Sequence, residues 1–249
     1  MFKKKSFIMA FILIISMIGM TACKKNVGAP EDNAQAEENE DETNTEETQE
    51  HLIGFSVIDM ENPYFITLES AAKAELEEDG YRMITKNPET DPQLQETQIQ
   101  EMIDEGIEAI ILSPVDWEKI TPSLQALKKA GVKIINVDTQ VKEMEYVDAY
   151  IGSDNQKAGY ICGEDLITKC PDGGKIAILE CPTQNSINDR ITGFEEAIAQ
   201  AENGFEVVER MDTKGEFELA LEAAQKILEE HPDISAIMCG NCLLYTSPS

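Results

Sequence analysis

Three side chains with binding chemistry follow directly after an apolar run of the chain. Asn62, Tyr64 and Phe65 flank Pro63, and the run before them begins at Leu52. The run is rich in β-branched and aromatic residues, as in a buried parallel strand, and Pro63 suits the first turn of a helix. An amide and two aromatic rings at the carboxyl end of such a strand lie where open α/β sheets bind ligands. This stretch therefore predicts a binding site.

Each of these three side chains also has a purely structural interpretation. Asn62 is a good N-cap for the helix that starts at Pro63, so its oxygen could bond to the backbone instead of a ligand. Tyr64 and Phe65 could belong to the core contact of that helix. Adjacent helical positions point about 100° apart, however, so at most one of the two rings faces fully inward. The sequence leaves these interpretations open.

A carboxylate ends another apolar run further along the chain. Asp138 follows a series of β-branched residues, and burying its charge without a partner would be costly, so a ligand or a helix N-terminus must satisfy it. Right-handed crossovers bring the carboxyl ends of parallel strands to one edge, so Asn62, Ser113 and Asp138 are expected to share that edge. The same rule brings Arg190 and Asn241 to the corresponding edge of a second sheet, although Arg190 could also be a solvated helix residue.

The elements that position these side chains alternate regularly. Strand-like runs and amphipathic helical patterns follow one another every ~25–30 residues, which is typical of a doubly wound parallel sheet. The predicted α/β fold has two Rossmann-like lobes, at residues 51–153 and 154–241, and the second lobe has fewer strands. Helices are expected at residues 64–78, 117–130, 156–169, 186–200 and 217–230, with another between Asp91 and Gly106.

The N-terminus has the pattern of an exported lipoprotein. Three lysines at positions 3–5 precede an apolar run at 7–20, which suits the core of a signal peptide and is short for a membrane span. The run ends in Met-Thr-Ala-Cys, which resembles the bacterial lipobox. Residues 1–22 are therefore predicted to be a signal peptide and Cys23 the lipidated residue; an ordinary signal peptide with an incidental cysteine is the alternative. Residues 23–50 form an acidic, self-repelling linker.

Composition and motifs exclude several classes of function. The formal net charge of −28 disfavours nucleic acid, because a polyanion would be repelled. The chain has no G-x-G-x-x-G after its first strand, no P-loop and no G-x-S-x-G elbow, so no enzymatic activity, catalytic residue or cofactor is predicted. Cys239 and Cys242 form a C-x-x-C pair, but no second pair or neighbouring histidine completes a zinc or redox site, and no metal is predicted.

Several motifs together resemble a known family. The segments IGFSVIDMENPYF, ILSPVD, IINVDTQ, YIGSDN, NDRITGF and AIMCGN resemble the type I periplasmic binding proteins, specifically the ribose-binding-protein-like sugar-binding components of ABC transporters. They occur in the expected order and run from about His51 to Asn241. The resemblance implies two Rossmann-like lobes that are joined by a hinge and close on a sugar.

The resemblance assigns roles to the candidate residues of the first lobe. Asn62 matches a polar ligand contact, and Tyr64 and Phe65 match aromatic residues that flank the sugar ring. Asp138 is similar to a carboxylate that binds paired hydroxyls. A sugar has apolar C–H faces and a rim of hydroxyls, so aromatic plates and fixed polar partners suit it on physical grounds as well.

The second lobe and the hinge have their own counterparts in this resemblance. Arg190 is similar to the arginine that the second lobe contributes, and Asn241 resembles an asparagine after a second-lobe strand. Ser153 and Asp154 lie at the first hinge crossing. The implied ligand set is thus divided between the lobes.

Three departures from the family pattern bear on specificity and completeness. Family members that bind ribose have an arginine directly after Asp138, where this chain has Thr139. An aromatic residue expected before the helix that starts at Phe217 would fall near Gly215, so it is absent or displaced. The tail at 242–249 has no pattern that belongs to such a fold, so the second lobe is expected to be C-terminally incomplete and the tail foreign or out of frame.

The implied function is that of an exported solute-binding lipoprotein. It would be anchored to the outer face of the bacterial cytoplasmic membrane through Cys23, capture a monosaccharide or similar polyol, and deliver it to an ABC transporter permease. A sensor of the same fold that signals to a membrane receptor or kinase is the alternative. A sugar-responsive repressor is disfavoured, because the position of its helix-turn-helix holds the signal peptide and linker.

Overall fold

Strands and helices alternate through residues 51–245, the part of the chain that the computed structural model describes. The predicted signal peptide, Cys23, the acidic linker and the last four residues of the tail lie outside this part. The strands are β1 (His51–Ser56), β2 (Tyr81–Lys86), β3 (Ala109–Leu112), β4 (Lys133–Val137), β5 (Ala149–Ile151), β6 (Gly174–Glu180), β7 (Phe205–Asp212) and β8 (Ile234–Cys239). The helices are α1 (Pro63–Glu78), α2 (Pro92–Asp104), α3 (Thr121–Ala130), α4 (Asn155–Lys169), α5 (Asn185–Ile198), α6 (Phe217–Glu230) and α7 (Cys242–Tyr245), with a short 3-10 helix at Met144–Tyr146.

The strands form two parallel sheets. The first has the order β2-β1-β3-β4-β5 and the second the order β7-β6-β8. We call the first sheet with α1 to α3 the first lobe, and the second sheet with α4 to α7 the second lobe. The chain passes from one to the other between β5 and α4, at Ser153 and Asp154. This architecture confirms the predicted α/β class with parallel strands in two sets.

Both faces of the first sheet are covered by helices. On one face, Ile110 and Ile134 pack with Ile99 of α2 and Leu124 of α3 in the larger of two apolar clusters. The other face packs Phe55 and its neighbours against α1. Strands that are covered on both faces are expected to be apolar throughout, as the sequence of β1 is.

The second sheet is organised around its central strand. Ile176 and Ile178 of β6 pack against α5, whereas Ala177 and Leu179 pack against α6, because successive side chains of a strand point to opposite faces. The neighbouring strands β7 and β8 each pair with β6 on one side. The buried middle of β6 therefore carries much of this lobe's core.

Helices α4 and α5 pack against each other at unusually short range. A Cβ atom added to Gly159 of α4 would lie 1.8 Å from the carbonyl oxygen of Arg190. A Cβ atom on Gly193 of α5 would lie 1.9 Å from the carbonyl oxygen of Gln156. Only glycine fits at these two positions, and the close approach fixes the backbone of α5 relative to α4.

The third helix begins later than its sequence pattern predicts. The expected start was Trp117, but α3 spans Thr121–Ala130. Pro122 has no N–H group and cannot donate the helical hydrogen bond to Glu118, so a regular helix cannot extend further back. The Asp116 carboxylate instead accepts hydrogen bonds from the two backbone N–H groups that follow Trp117 and forms a separate turn.

Within residues 51–245, every helix is too short or too polar to cross a lipid bilayer.

Candidate functional site

A cavity of about 750 Å³ lies where the carboxyl ends of the two sheets face each other. Its walls come from the loops after β1, β2, β4, β5, β6, β7 and β8, as expected for ligand sites in open α/β sheets. All six predicted ligand-binding residues line it: Asn62, Tyr64, Phe65, Asp138, Arg190 and Asn241. The other lining residues are Ile58, Asp59, Glu61, Glu89, Thr90, Ser153, Gln184, Ser186, Lys214, Gly215, Glu216, Phe217, Glu218, Cys242 and Leu243.

The start of α1 supplies an amide and two aromatic rings. Asn62 is the N-cap, and its Oδ1 accepts a hydrogen bond of 3.0 Å from the backbone N–H of Tyr64. Its structural interpretation is therefore correct, although the residue also borders the cavity. Phe65 is 3% exposed and packs in the core, whereas Tyr64 is 48% exposed, so only one ring faces fully inward. The two rings meet edge to face, with centroids 5.1 Å apart.

Asp138 lies directly after β4 in a backbone conformation with φ of 60°. Burial raises the pKa of its carboxyl above the usual range, and the positive charge of Arg190 only partly opposes this shift. Its Oδ2 accepts a hydrogen bond of 3.3 Å from the hydroxyl of Thr139. Its backbone carbonyl accepts one of 2.8 Å from the Tyr150 hydroxyl. The carboxylate therefore has room to accept hydrogen bonds from a ligand.

Arg190 is held by two other elements of the second lobe. Its Nε donates to Oδ1 of Asn155, the first residue of α4, over 2.9 Å. Its Nη1 donates to the carbonyl oxygen of Gly240, which follows β8, also over 2.9 Å. A guanidinium group fixed by two hydrogen bonds presents its remaining N–H groups in one orientation, as binding of paired oxygens requires.

Residues from three distant segments, Tyr64, Asp138 and Arg190, converge at the cavity. Burial, and then the negative charge of Asp138, raise the pKa of the Tyr64 hydroxyl, while the charge of Arg190 lowers it. The pKa of Tyr150 is likewise raised by burial and then by Asp138. An aromatic ring, a carboxylate and a guanidinium group thus surround one space, which is the chemistry that suits a small hydroxylated ligand.

Asn241 has a structural bond in addition to its place at the cavity. Its Oδ1 accepts a hydrogen bond of 3.0 Å from the backbone N–H of Leu244, so it caps α7. Its Nδ2 donates to the carbonyl oxygen of Gly215 over 3.4 Å. The first half of the predicted anomalous tail therefore forms a helical turn, in which Leu244 is buried against α6.

The two predicted hinge residues occupy different environments. Ser153 lines the cavity, whereas Asp154 is absent from its wall. Asp154 is the N-cap of α4, and its Oδ1 accepts a hydrogen bond of 2.9 Å from the backbone N–H of Lys157. Both residues are exposed and join the two lobes.

Hydrogen bonds between the described residues also join the lobes outside this connection. The hydroxyls of Thr139 and Ser186 lie 2.8 Å apart and are buried. The backbone N–H of Trp117 donates to the carbonyl oxygen of Thr183 over 3.0 Å. If Thr139 donates to Asp138, then Ser186 must donate to Thr139, so a chain of hydroxyls leads from the second lobe to the Asp138 carboxylate.

The sequence reasoning missed cavity residues after β2 and β7. Glu89 and Thr90 lie in a turn after β2, with φ of 51° and 60°, and Lys214 lies in a turn after β7. The rule that parallel strands end at one edge could have indicated both turns, because it applies to every strand of a sheet. No signal in the sequence indicated that the Tyr150 hydroxyl holds the backbone of Asp138.

An aromatic ring is present near the position where the sequence left one in doubt. The expected aromatic residue fell at Gly215, but Phe217, two residues later, lines the cavity. It is the first residue of α6. The second lobe therefore has an aromatic residue at the same cavity as Tyr64, two positions further along the chain than expected.

Of the C-x-x-C pair, Cys242 lines the cavity, whereas Cys239 does not. Burial raises the pKa of the Cys239 thiol to about 11, so it stays protonated at neutral pH. Within residues 51–245, one group of side chains is placed to hold a metal ion: Glu209, Glu230 and His231, with ligand atoms within 4.8 Å of one another. These residues do not line the cavity, and exposed acidic groups of this kind are common without an ion.

The sequence profile of the family described as periplasmic binding protein domain matches residues 53–245. The match includes both sheets, the cavity and α7.

Individual relatives agree with this match. The ribose import binding protein RbsB of Bacillus subtilis is 26% identical over 231 residues, which are 92% of this chain and 72% of the relative. The D-ribose/D-allose-binding protein of Pseudomonas aeruginosa is 29% identical over 190 residues, 72% of this chain and 59% of the relative. The crystal structure of an ABC transporter solute binding protein from Mycobacterium smegmatis with bound glycerol is 31% identical, with a TM-score of 0.71. That similarity covers 76% of this chain and 66% of the other.

Proposed function

The chain belongs to the periplasmic binding protein domain family, and we propose that it captures a monosaccharide or similar polyol in the cavity between its lobes. The relatives named above bind ribose, allose or glycerol according to their descriptions. The chain spans only 59 to 72% of the length of those relatives, so their activity is carried over as part of this proposal.

One observation carries the proposal. A carboxylate of the first lobe and a guanidinium group of the second, Asp138 and Arg190, line the same cavity, where burial raises the pKa of Asp138 and the charge of Arg190 partly opposes this rise. Both groups bind hydroxyls through paired hydrogen bonds, and neither lobe has the pair by itself. A ligand that contacts both would favour the closed arrangement of the lobes over an open one.

The remaining predicted residues have complementary roles in this proposal. Tyr64 and Phe217 provide aromatic faces for the apolar side of a sugar ring, and Phe65 supports Tyr64 from the core. Asn62 and Asn241 border the cavity while they cap helices. The amide nitrogen of Asn62 is available to hydroxyls, whereas that of Asn241 already donates one hydrogen bond to Gly215 and has one N–H left. The ligand is bound and released unchanged, with no cofactor and no catalytic residue.

Closure takes place about the connection between the lobes. In this proposal Ser153 and Asp154 form the hinge, and the predicted lobes at residues 51–153 and 154–241 move as units. The hydrogen bond between Trp117 and Thr183 forms in the closed state. Because the chain has a single tryptophan, its fluorescence is a suitable signal for closure.

The proposal extends to the cellular role of the protein. Residues 1–22 direct export, Cys23 carries a lipid anchor on the outer face of the cytoplasmic membrane, and residues 23–50 separate that anchor from the binding lobes. An ABC transporter permease receives the sugar from the closed form. This assignment is supported by the lipobox-like sequence and by relatives that are described as import binding proteins.

The test replaces Asp138 by asparagine. Asn tolerates the positive φ of this position and preserves the shape of the side chain, so Asp138→Asn removes charge without backbone strain. We expect affinity for the best-bound sugar to fall about a hundredfold, because hydrogen bonds to a charged acceptor are lost. Calorimetry with ribose, allose and arabinose, together with Trp117 fluorescence, measures this loss.

The matched control is Asp165→Asn on the exposed surface of α4, where the carboxylate pairs with Lys169 outside the cavity. This variant should bind like the unmodified chain. If Asp138→Asn bound the same sugar with unchanged affinity, the cavity would not be the sugar site.

A further inference from the structure

The cavity that we assign to the sugar has an unbalanced charge. Six carboxylates line it, whereas only Arg190 and Lys214 contribute positive charge, which leaves a formal excess of four negative charges. A sugar site needs one or two carboxylates to accept hydrogen bonds from hydroxyls. The carboxylates at this cavity are Asp59, Glu61, Glu89, Asp138, Glu216 and Glu218.

None of these carboxylates forms a salt bridge within residues 51–245, although the positive charge of Arg190 partly offsets that of Asp138. The ion pairs among residues 51–245 lie elsewhere, for example between Lys86 and Glu101 or between Lys128 and Asp148, and none includes a carboxylate of the cavity. The hydrogen bonds of the Arg190 side chain go to two neutral oxygens. The negative charge therefore remains available to a ligand.

The acidic groups occupy both the floor and the entrance. Asp138 is partly buried, with one hydrogen bond of 3.3 Å to its carboxylate from a side chain. Glu61 and Glu89 belong to exposed loops of the first lobe, and Glu218 to the exposed start of α6 in the second. Exposed carboxylates from both lobes and the partly buried Asp138 therefore line the same cavity.

Charge placed in this way acts on affinity and on the rate of association. Walls of low dielectric focus the field inside a cleft, so the local concentration of cations rises and that of anions falls. A like charge brought into such a site is disfavoured, and this repulsion is an effective source of specificity. Neutral hydroxyls are unaffected by the net charge and still bond to Asp138 and Arg190.

We propose that the cavity selects sugars by charge: an ammonium-bearing sugar such as a 2-amino-2-deoxyhexose binds more tightly than its neutral parent, and sugar acids and sugar phosphates are excluded. This inference rests on the proposed function of the same cavity. It adds the class of ligand that the electrostatics favour. The exposed carboxylates of the entrance attract the ammonium group, and Asp138 provides a charged acceptor within the cavity.

Calorimetry on the whole chain at low ionic strength tests the inference with matched ligands. In each of the glucose, galactose and mannose series, the neutral hexose is compared with its 2-amino-2-deoxy form, its uronic acid and its 6-phosphate. Ribose and allose serve as neutral references. We expect the amino form of the best-bound hexose to bind about tenfold more tightly than its parent, with an advantage that shrinks as salt is added. The acids and phosphates should give no measurable binding.

A triple variant identifies the source of the selectivity. Glu61→Gln, Glu89→Gln and Glu218→Gln together remove three charges from the entrance, and we expect the preference for the amino form to fall to about twofold. The control carries Glu77→Gln, Glu164→Gln and Glu222→Gln, which change the net charge equally at exposed helix positions outside the cavity. It should keep the full preference.

The outcomes separate the two proposals. Equal affinity for a neutral hexose and its amino form, or binding of a uronate, overturns selection by charge and leaves sugar binding intact. An equal loss of preference in both triple variants also overturns it, because the effect would then come from the net charge of the whole chain. Absence of binding to every sugar in the set, including ribose and allose, overturns both proposals.

Discussion

The two halves of the cavity wall hold their charged groups in different ways. In the first lobe, Asp138 lies on a loop after β4, with a positive φ and hydrogen bonds from the hydroxyls of Thr139 and Tyr150. In the second lobe, Arg190 lies on a helix whose backbone touches α4, and two further bonds hold its guanidinium group. One half depends on burial and charge, and the other on close packing.

This difference predicts which kind of substitution impairs each lobe. A packed helix pair without space for a methyl group tolerates no added atom, since backbone atoms cannot move aside as side chains do. A partly buried, incompletely bonded carboxylate already destabilises the folded state, so its removal relieves a cost while it weakens binding. Added side-chain volume should therefore destabilise the second lobe, whereas the loss of a charge should affect ligand binding by the first lobe.

The largest effect is expected from Gly159→Ala. Its new Cβ atom would lie 1.8 Å from the carbonyl oxygen of Arg190, so α4 and α5 must separate. We expect the free energy of unfolding to fall by at least about 3 kcal/mol, even though alanine is favoured over glycine in a helix by about 1 kcal/mol. Urea denaturation measures the change.

The control for this variant is Gly54→Ala in the first lobe. There the added atom would meet the ends of two side chains, Ile107 and Met102, at 3.0 Å, and both can shift. Its cost should be clearly smaller than that of Gly159→Ala. Equal losses in the free energy of unfolding would contradict the proposal that added volume is tolerated less well in the second lobe than in the first.

A smaller effect is expected when Arg190 loses one of its tethers. Asn155→Ala removes the acceptor of the Nε–H group inside a buried contact. We expect a loss of about 2 kcal/mol in the free energy of unfolding, the scale of a hydrogen bond to a charged group, and a sugar affinity lower by about tenfold. Asn203→Ala, which removes an exposed hydrogen bond to Pro171, is the matched control and should change neither quantity appreciably.

The hydrogen bond between Thr139 and Ser186, which joins the two lobes, is expected to contribute less to the free energy of unfolding. Ser186→Ala removes the buried hydroxyl that lies 2.8 Å from Thr139 and should lower the free energy of unfolding by about 1 kcal/mol. Thr139→Val also removes the hydrogen bond to Asp138 and should cost more. If the Ser186 hydroxyl acts only through the Thr139 hydroxyl, then Thr139→Val already removes its effect. The double variant Thr139→Val/Ser186→Ala is then no less stable than Thr139→Val alone. Additive losses would show that they act independently.

The smallest effect concerns the stability of the ligand-free protein as pH changes. Burial raises the pKa of Asp138 in the folded state above its ordinary value. Such a group contributes stability below its unfolded pKa, and that contribution is lost as pH rises through the folded pKa. At neutral pH we therefore expect Asp138→Asn to be more stable than the unmodified chain by about 1 kcal/mol.

This gain should disappear in acid. As pH falls through the folded pKa of Asp138, the carboxyl takes up a proton and the two proteins should converge in stability. Denaturation curves of both chains between neutral pH and about pH 4 test this. A gain that stayed constant over this range would mean that the charge of Asp138 is not the cause.

Much of the fold followed from local sequence patterns. Apolar runs, glycine stops and proline starts predicted the alternating elements, because they restrict the backbone within a few residues. The start of α3 was wrong by four residues, since the amphipathic pattern from Trp117 continued across the turn that Pro122 and Asp116 impose. Hydrophobic periodicity alone gives no information about the missing backbone N–H group of a proline.

The candidate site was predicted less completely than the fold. The position of Asp138 followed from the rule that parallel strands end at one edge, and the role of Arg190 came from the family resemblance. The sequence could not decide whether Asn62 caps a helix. It also left open whether the aromatic residue that the family resemblance implies near Gly215 is absent or displaced, whereas the structure has Phe217 at the cavity wall. Each of these questions depends on the direction of a side chain, which a few ångströms of backbone position decide.

The sequence by itself determined which residues lie at the ends of strands, because hydrophobic periodicity and turn residues act over short distances along the chain. Only the tertiary structure decided which of those residues meet. The contacts of Tyr150 with Asp138, of Thr139 with Ser186 and of Arg190 with Gly240 join segments from 12 to 50 positions apart. They depend on how two sheets and a closely packed helix pair are oriented, and no local pattern encodes that orientation.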